Sequence, residues 1–88
     1  MRIEVCRTGG FAGVSRTWCV QLDRLDHPDE LQRLIDDCDW ANPPPPTPEP
    51  DRFSYTLTAG EHSATLSERA LAGPWRELVD LVVRLGHP

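Results

Sequence analysis

Two stretches of strict alternation, set around a glycine-rich loop, constrain this chain more than anything else in it. Within residues 2–8, Ile3 and Val5 fall on one side while Arg2, Glu4 and Cys6 fall on the other. Within residues 15–22, Trp18, Val20 and Leu22 oppose Ser15, Thr17, Cys19 and Gln21. Successive side chains of a strand point to opposite faces, so each stretch predicts a strand with one buried face. Between them runs Arg7-Thr8-Gly9-Gly10-Phe11-Ala12-Gly13-Val14-Ser15-Arg16, with three glycines in five positions around one large aromatic. Glycine reaches backbone conformations that other residues resist, so this segment reads as a tightly shaped loop closing a hairpin. Such a loop has two uses: it presents Phe11 to a partner, or Phe11 folds back to cap the core. Arg7 and Arg16 share the parity of the buried side chains and sit near the loop end, where the sheet runs out of cover.

The remainder of the chain supplies the other layer. A helix is expected to start at Asp26 or His27 as cap, with Pro28 in its first turn and Asp29 and Glu30 at its positive end. Leu31, Leu34, Ile35 and Cys38 recur at spacings of three and four and make one apolar stripe. Asp36, Asp37 and Asp39 follow at the helix's unfavourable end and read as a solvated acidic edge, since no further ligand completes a metal site. Residues 42–50, Asn42-Pro43-Pro44-Pro45-Pro46-Thr47-Pro48-Glu49-Pro50, stop regular structure and read as a stiff spacer of about 3.1 Å per residue. Phe53, Tyr55, Leu57 and Ala59 then alternate with polar residues as a strand. A turn at Ala59-Gly60-Glu61 leads into a short antiparallel partner, His62–Leu66. After a short connection through Leu71, Pro74 opens a helix with Trp75, Leu78, Val79, Val82 and Leu85 on one face, ended by Gly86. The predicted fold is α+β, a single domain over residues 1–88: a four-stranded antiparallel sheet with two helices on one face, in ββα-ββα order. Trp18, Phe53 or Tyr55, and Trp75 are expected to anchor its core.

Composition removes several classes of function. At 88 residues the chain has room for one small core. Its net charge of −5 argues against nucleic acid, which demands a basic face. No apolar run approaches a bilayer span, and Arg2 and Glu4 stand where a signal peptide needs an apolar stretch, so a cytoplasmic protein is expected. Cys6, Cys19 and Cys38 then read as reduced thiols, although Cys6 and Cys19, if opposite each other in the hairpin, are candidates for a cross-link in an oxidising medium. His27, His62 and His87 form no metal-binding pair at helical spacing, and the glycine loop lacks the lysine and following helix of a phosphate loop. Neither catalysis nor a cofactor is expected.

At this point a resemblance becomes specific. Ile3-Glu4-Val5, Arg7-Thr8-Gly9-Gly10-Phe11-Ala12-Gly13, Arg16 and Trp18, followed by the proline-rich spacer, Phe53-Ser54-Tyr55-Thr56-Leu57-Thr58 and Arg76-Glu77-Leu78-Val79, resemble the emfourin family. These are proteinaceous inhibitors of protealysin and related thermolysin-like metalloproteases. The resemblance implies a small cytoplasmic inhibitor, monomeric when free, whose partner is a zinc metalloprotease. Thermolysin-like enzymes favour a large apolar residue just after the scissile bond, and Gly10-Phe11-Ala12 presents such a sequence. It therefore implies protease binding by Gly9, Gly10, Phe11, Ala12 and Gly13, with Phe11 in the apolar pocket. Arg7 and Arg16 would meet acidic groups at the cleft rim or hold the loop base through backbone carbonyls. The alternatives differ in kind: a binding module using Pro43–Pro46, or an acidic partner using Asp36, Asp37 and Asp39.

Overall fold

In the computed structural model, residues 1–9, 15–45 and 53–86 are described. Four strands, β1 (Arg2–Gly9), β2 (Arg16–Gln21), β3 (Phe53–Ala59) and β4 (His62–Ser67), form one antiparallel sheet in the order β2-β1-β3-β4. Two helices, α1 (Asp29–Asp37) and α2 (Pro74–Leu85), complete the predicted ββα-ββα order. Single 3-10 turns, Leu22–Arg24 and Glu68–Ala70, lead out of β2 and β4.

Strand register turns the alternation into rows. Val20, Ile3, Ala59 and His62 lie side by side across the sheet, then Trp18, Val5, Leu57 and Ala64, then Arg16, Arg7, Tyr55 and Leu66. The first two rows are apolar except for His62, and the helices cover them. Val5, Ala59, Leu66 and Val82 are wholly buried, with Ile3, Leu31, Leu57 and Leu78 nearly so. Each valine, leucine or isoleucine side chain among them contributes about 1.5–3 kcal/mol when taken out of water, and the Ala59 methyl less. The opposite face carries Glu4, Cys6, Thr17, Thr56 and Thr65 and is polar, as expected for an antiparallel sheet with one solvated side. Trp18, Tyr55 and Trp75 are buried as expected, while Phe53 is half-buried at the end of the sheet.

Local departures from the expected pattern have physical reasons. Neither Asp26 nor His27 caps α1: Pro28 occupies the cap position, and its carbonyl accepts from the Gln32 amide at 2.9 Å. Leu85 is 42% exposed, and Leu81 is buried in its stead. The two lie one turn apart on the same stripe, and the cover ends before the helix does. Gly60 turns β3 into β4 with φ of 61°, a left-handed conformation costly to other residues. Asn42–Pro45 have no regular structure, and the rest of the expected spacer, residues 46–50, lies outside the described residues.

Gly86 ends α2 by a close approach. A side chain there would put its Cβ 2.7 Å from the Val82 carbonyl oxygen and 3.1 Å from both Trp18 Cβ and the Cys19 carbonyl oxygen. The absence of a side chain thus lets the helix end seat directly on β2. Gly86→Ala is therefore expected to destabilise the fold by about 1–3 kcal/mol, read as a lower urea midpoint at unchanged slope.

Candidate functional site

Of the expected binding residues, Arg7, Gly9 and Arg16 are described, while Gly10, Phe11, Ala12 and Gly13 lie outside the described residues. The root of the loop lies within the sheet. β1 runs to Gly9, whose φ of 99° takes the chain out of the strand in a conformation open to glycine and closed to most side chains. Gly9 pairs with Phe53 at the start of β3, and Arg7 stands between Arg16 on β2 and Tyr55 on β3.

The third row of the sheet is thus where the apolar pattern ends in two cations. Their parity is that of the core, so both guanidiniums rise on the helix side, and both find an aromatic ring. The Arg7 Cζ lies 4.5 Å from the Phe53 ring centroid and 5.3 Å from that of Trp18. The Arg16 Cζ lies 5.3 Å from the same Trp18 ring. A guanidinium over an aromatic face gains about 0.5–2 kcal/mol, more as water is excluded. Arg7 is half-buried between two rings, whereas Arg16 is exposed.

The roles of Phe53 and Trp18 as ring partners were not read from the sequence. The available signal was parity: an arginine at a core-parity position near a strand end needs an apolar surface for its stem and an electron-rich face for its head. At the far end of the sheet lies a second feature absent from the sequence reading. Trp40, just beyond α1, donates its indole N–H to the Ile35 carbonyl at 2.8 Å. Its ring stacks on His62 at 5.3 Å and meets Trp75 edge-on at 5.0 Å. This cluster anchors the chain just before the prolines, at the end of the sheet away from the loop.

The other candidate surfaces are placed as follows. Asp36, Asp37 and Asp39 are exposed, and Asp36 accepts a hydrogen bond from Gln32 Nε2 at 3.0 Å. The groove between the helices is lined by the carboxylates of Glu30, Asp37, Glu77 and Asp80 together with the guanidiniums of Arg33 and Arg84. That mixture compensates much of its own charge, unlike a field of one sign. Among the proline residues, Pro43 and Pro44 are half-buried and Pro45 is exposed, while Pro46 lies outside the described residues.

The thiols require one correction. Cys6 stands opposite Thr17, and Cys19 opposite Glu4, so the two cysteines share a face but occupy diagonal positions. Diagonal neighbours in an antiparallel pair are about 7–8 Å apart, beyond the reach of an undistorted disulfide. Both are free and partly exposed; Arg2 donates to the Cys19 sulfur at 3.2 Å. Cys38 is buried, and burial, helped by the Asp37 carboxylate, pushes its thiol up to about 11.

What the fold and this loop root define is a class: a small layered scaffold that holds a glycine-rich hairpin loop at one end. Comparison with protein families makes the assignment particular. Residues 5–82 match the Emfourin family, and the chain belongs to that family. No curated protein and no solved structure gives a significant match. Membership points to a protease-inhibitor role, and to a protease in general as the partner. No helix among the described residues is long and apolar enough to cross a membrane.

Two measurements follow for the thiols. With a thiol reagent at mildly alkaline pH, Cys6 and Cys19 should react on the native protein and Cys38 only on unfolding. Because the folded thiol of Cys38 titrates above its ordinary value of 9.0, its contribution to stability is complete below that value. It is then lost as pH rises toward about 11. Denaturant midpoints across that alkaline range should fall for the wild type and fall less for Cys38→Ala.

Proposed function

We propose that this protein inhibits a thermolysin-like zinc metalloprotease by inserting the loop spanning Gly9–Gly13, with Phe11 at its tip, into the substrate cleft. Family membership over residues 5–82 carries this reading. The loop assignment is supported by its root. Gly9 leaves β1 in a left-handed conformation, and the flanking strands are fixed in register beneath two covered rows of core.

In the proposed complex, Phe11 occupies the apolar pocket that such proteases use for the residue after the scissile bond. Gly10 lies near the enzyme's zinc, where the absence of a side chain permits close backbone approach. The hairpin supplies the affinity that a free peptide lacks. Strands held by the sheet restrict the loop before binding, so less conformational entropy is lost on association. The same restriction keeps the peptide out of alignment for attack, since cleavage requires close and aligned reacting atoms. The chain contributes shape and apolar contact, and the metal belongs to the enzyme.

Titration of wild type against a panel of thermolysin-like proteases is expected to give stoichiometric inhibition. Phe11→Ala, folded by circular dichroism, is expected to lose that inhibition by about 100-fold, in line with removal of a central aromatic anchor. Retention of full potency by this variant moves the site away from the loop. The proline-segment and acidic-edge readings predict that Phe11→Ala changes nothing, and the acidic-edge reading adds a steep loss of binding with salt.

A further inference from the structure

Arg7 and Arg16 stand directly opposite each other across the β1–β2 pair. Like charges in that position oppose folding, so their juxtaposition needs a reason. Both guanidiniums also share one indole, that of Trp18, and Phe53 holds Arg7 from the other side. The arrangement partly offsets the repulsion and holds the Arg7 guanidinium against two rings, 4.5 Å from the Phe53 centroid and 5.3 Å from that of Trp18. A guanidinium held against aromatic rings still has N–H donors to offer on the sides the rings leave open, and its preferred acceptor is a carboxylate.

We infer that Arg7 and Arg16 form a two-guanidinium clamp for one carboxylate side chain of the partner protein, with Phe53 as the residue that positions Arg7. This rests on the inhibitor reading and adds to it the chemistry of a second contact at the base of the loop. Charge supports the choice of occupant. The chain as a whole carries −5, so a paired cationic spot flanking the loop is a local reversal of sign, suited to an Asp or Glu on the protease. The two arginines differ in preparation. Arg7 is half-buried and held from two sides, whereas Arg16 is exposed and touches Trp18 alone among the ring contacts of the described residues. Arg7 therefore sets the geometry, and Arg16 closes on the bound group.

The test is a double-mutant analysis of inhibition of a thermolysin-like protease, with thermal unfolding of each variant. Arg7→Gln and Arg16→Gln are each expected to weaken inhibition by about tenfold to a hundredfold, the usual scale for a lost hydrogen bond to a charged group. Because they share one acceptor, the double variant should lose less than the product of the single losses. Phe53→Leu should weaken inhibition in the wild type, change nothing in Arg7→Gln, and be rescued by Phe53→Tyr, which keeps the ring. In the NMR spectrum, the Nε–Hε signals of both arginines should shift on adding protease. Signals of both arginines that stay unmoved in the inhibited complex overturn the clamp. Single arginine variants within about twofold of wild type, with Phe11→Ala inactive, overturn the clamp and leave the loop reading intact. Arginine variants that lose inhibition while Phe11→Ala keeps it support the clamp and move the anchor from the loop. Absence of inhibition by the wild type itself overturns both.

Discussion

The register of β1 against its two neighbours governs everything at the loop end of this protein. It sets Val5 between Trp18 and Leu57, and by the same count sets Arg7 between Arg16 and Tyr55. A slip of one residue would send Val5 to the solvated face and Arg7 with it. The burial of Ile3 and Val5 under the helices excludes that slip, because it would send both to solvent and turn Glu4 and Cys6 into the core. The orientation of two cations near the glycine loop is therefore enforced by apolar side chains one row away.

The helices contribute to this constraint from opposite corners. The end of α2 rests on β2 through Gly86, close to Trp18, the ring both arginines use. At the other corner, Trp40 joins the end of α1 to Trp75 and His62. One end of the sheet is closed by aromatic packing, and the other ends in cations and the loop. In this arrangement the two ends of the strands differ in kind: one is packed among rings, and the proposed contact lies at the other.

Much of this was legible in the sequence where a single period governed a segment. The alternation of Ile3 and Val5, of Trp18 and Val20, and of Tyr55 and Leu57 gave the strands and their buried faces, and the stripes of the two helices gave the second layer. Family resemblance was legible in the motif Thr8-Gly9-Gly10-Phe11-Ala12-Gly13 and its flanks. Features that depend on how segments meet were not. The pairing of Cys6 with Thr17 follows from where the hairpin closes, which alternation does not specify. The exchange of Leu85 for Leu81 depends on how far the cover extends over one helical stripe, and the Trp40 cluster brings together residues from three separate segments. Phe53 shows the same limit at the site: its parity marks it as core, and only the sheet order brings it to Arg7.

The central claim is that the glycine-rich loop is the surface that enters the protease. A photoreactive phenylalanine analogue placed at position 11, irradiated in the complex with an inhibited thermolysin-like protease and mapped by mass spectrometry, addresses it most directly. The account predicts cross-links confined to the substrate cleft, on the side that receives the residue after the scissile bond. Cross-links elsewhere on the enzyme, or a complex that forms with position 11 unreactive and the helices protected, would contradict it.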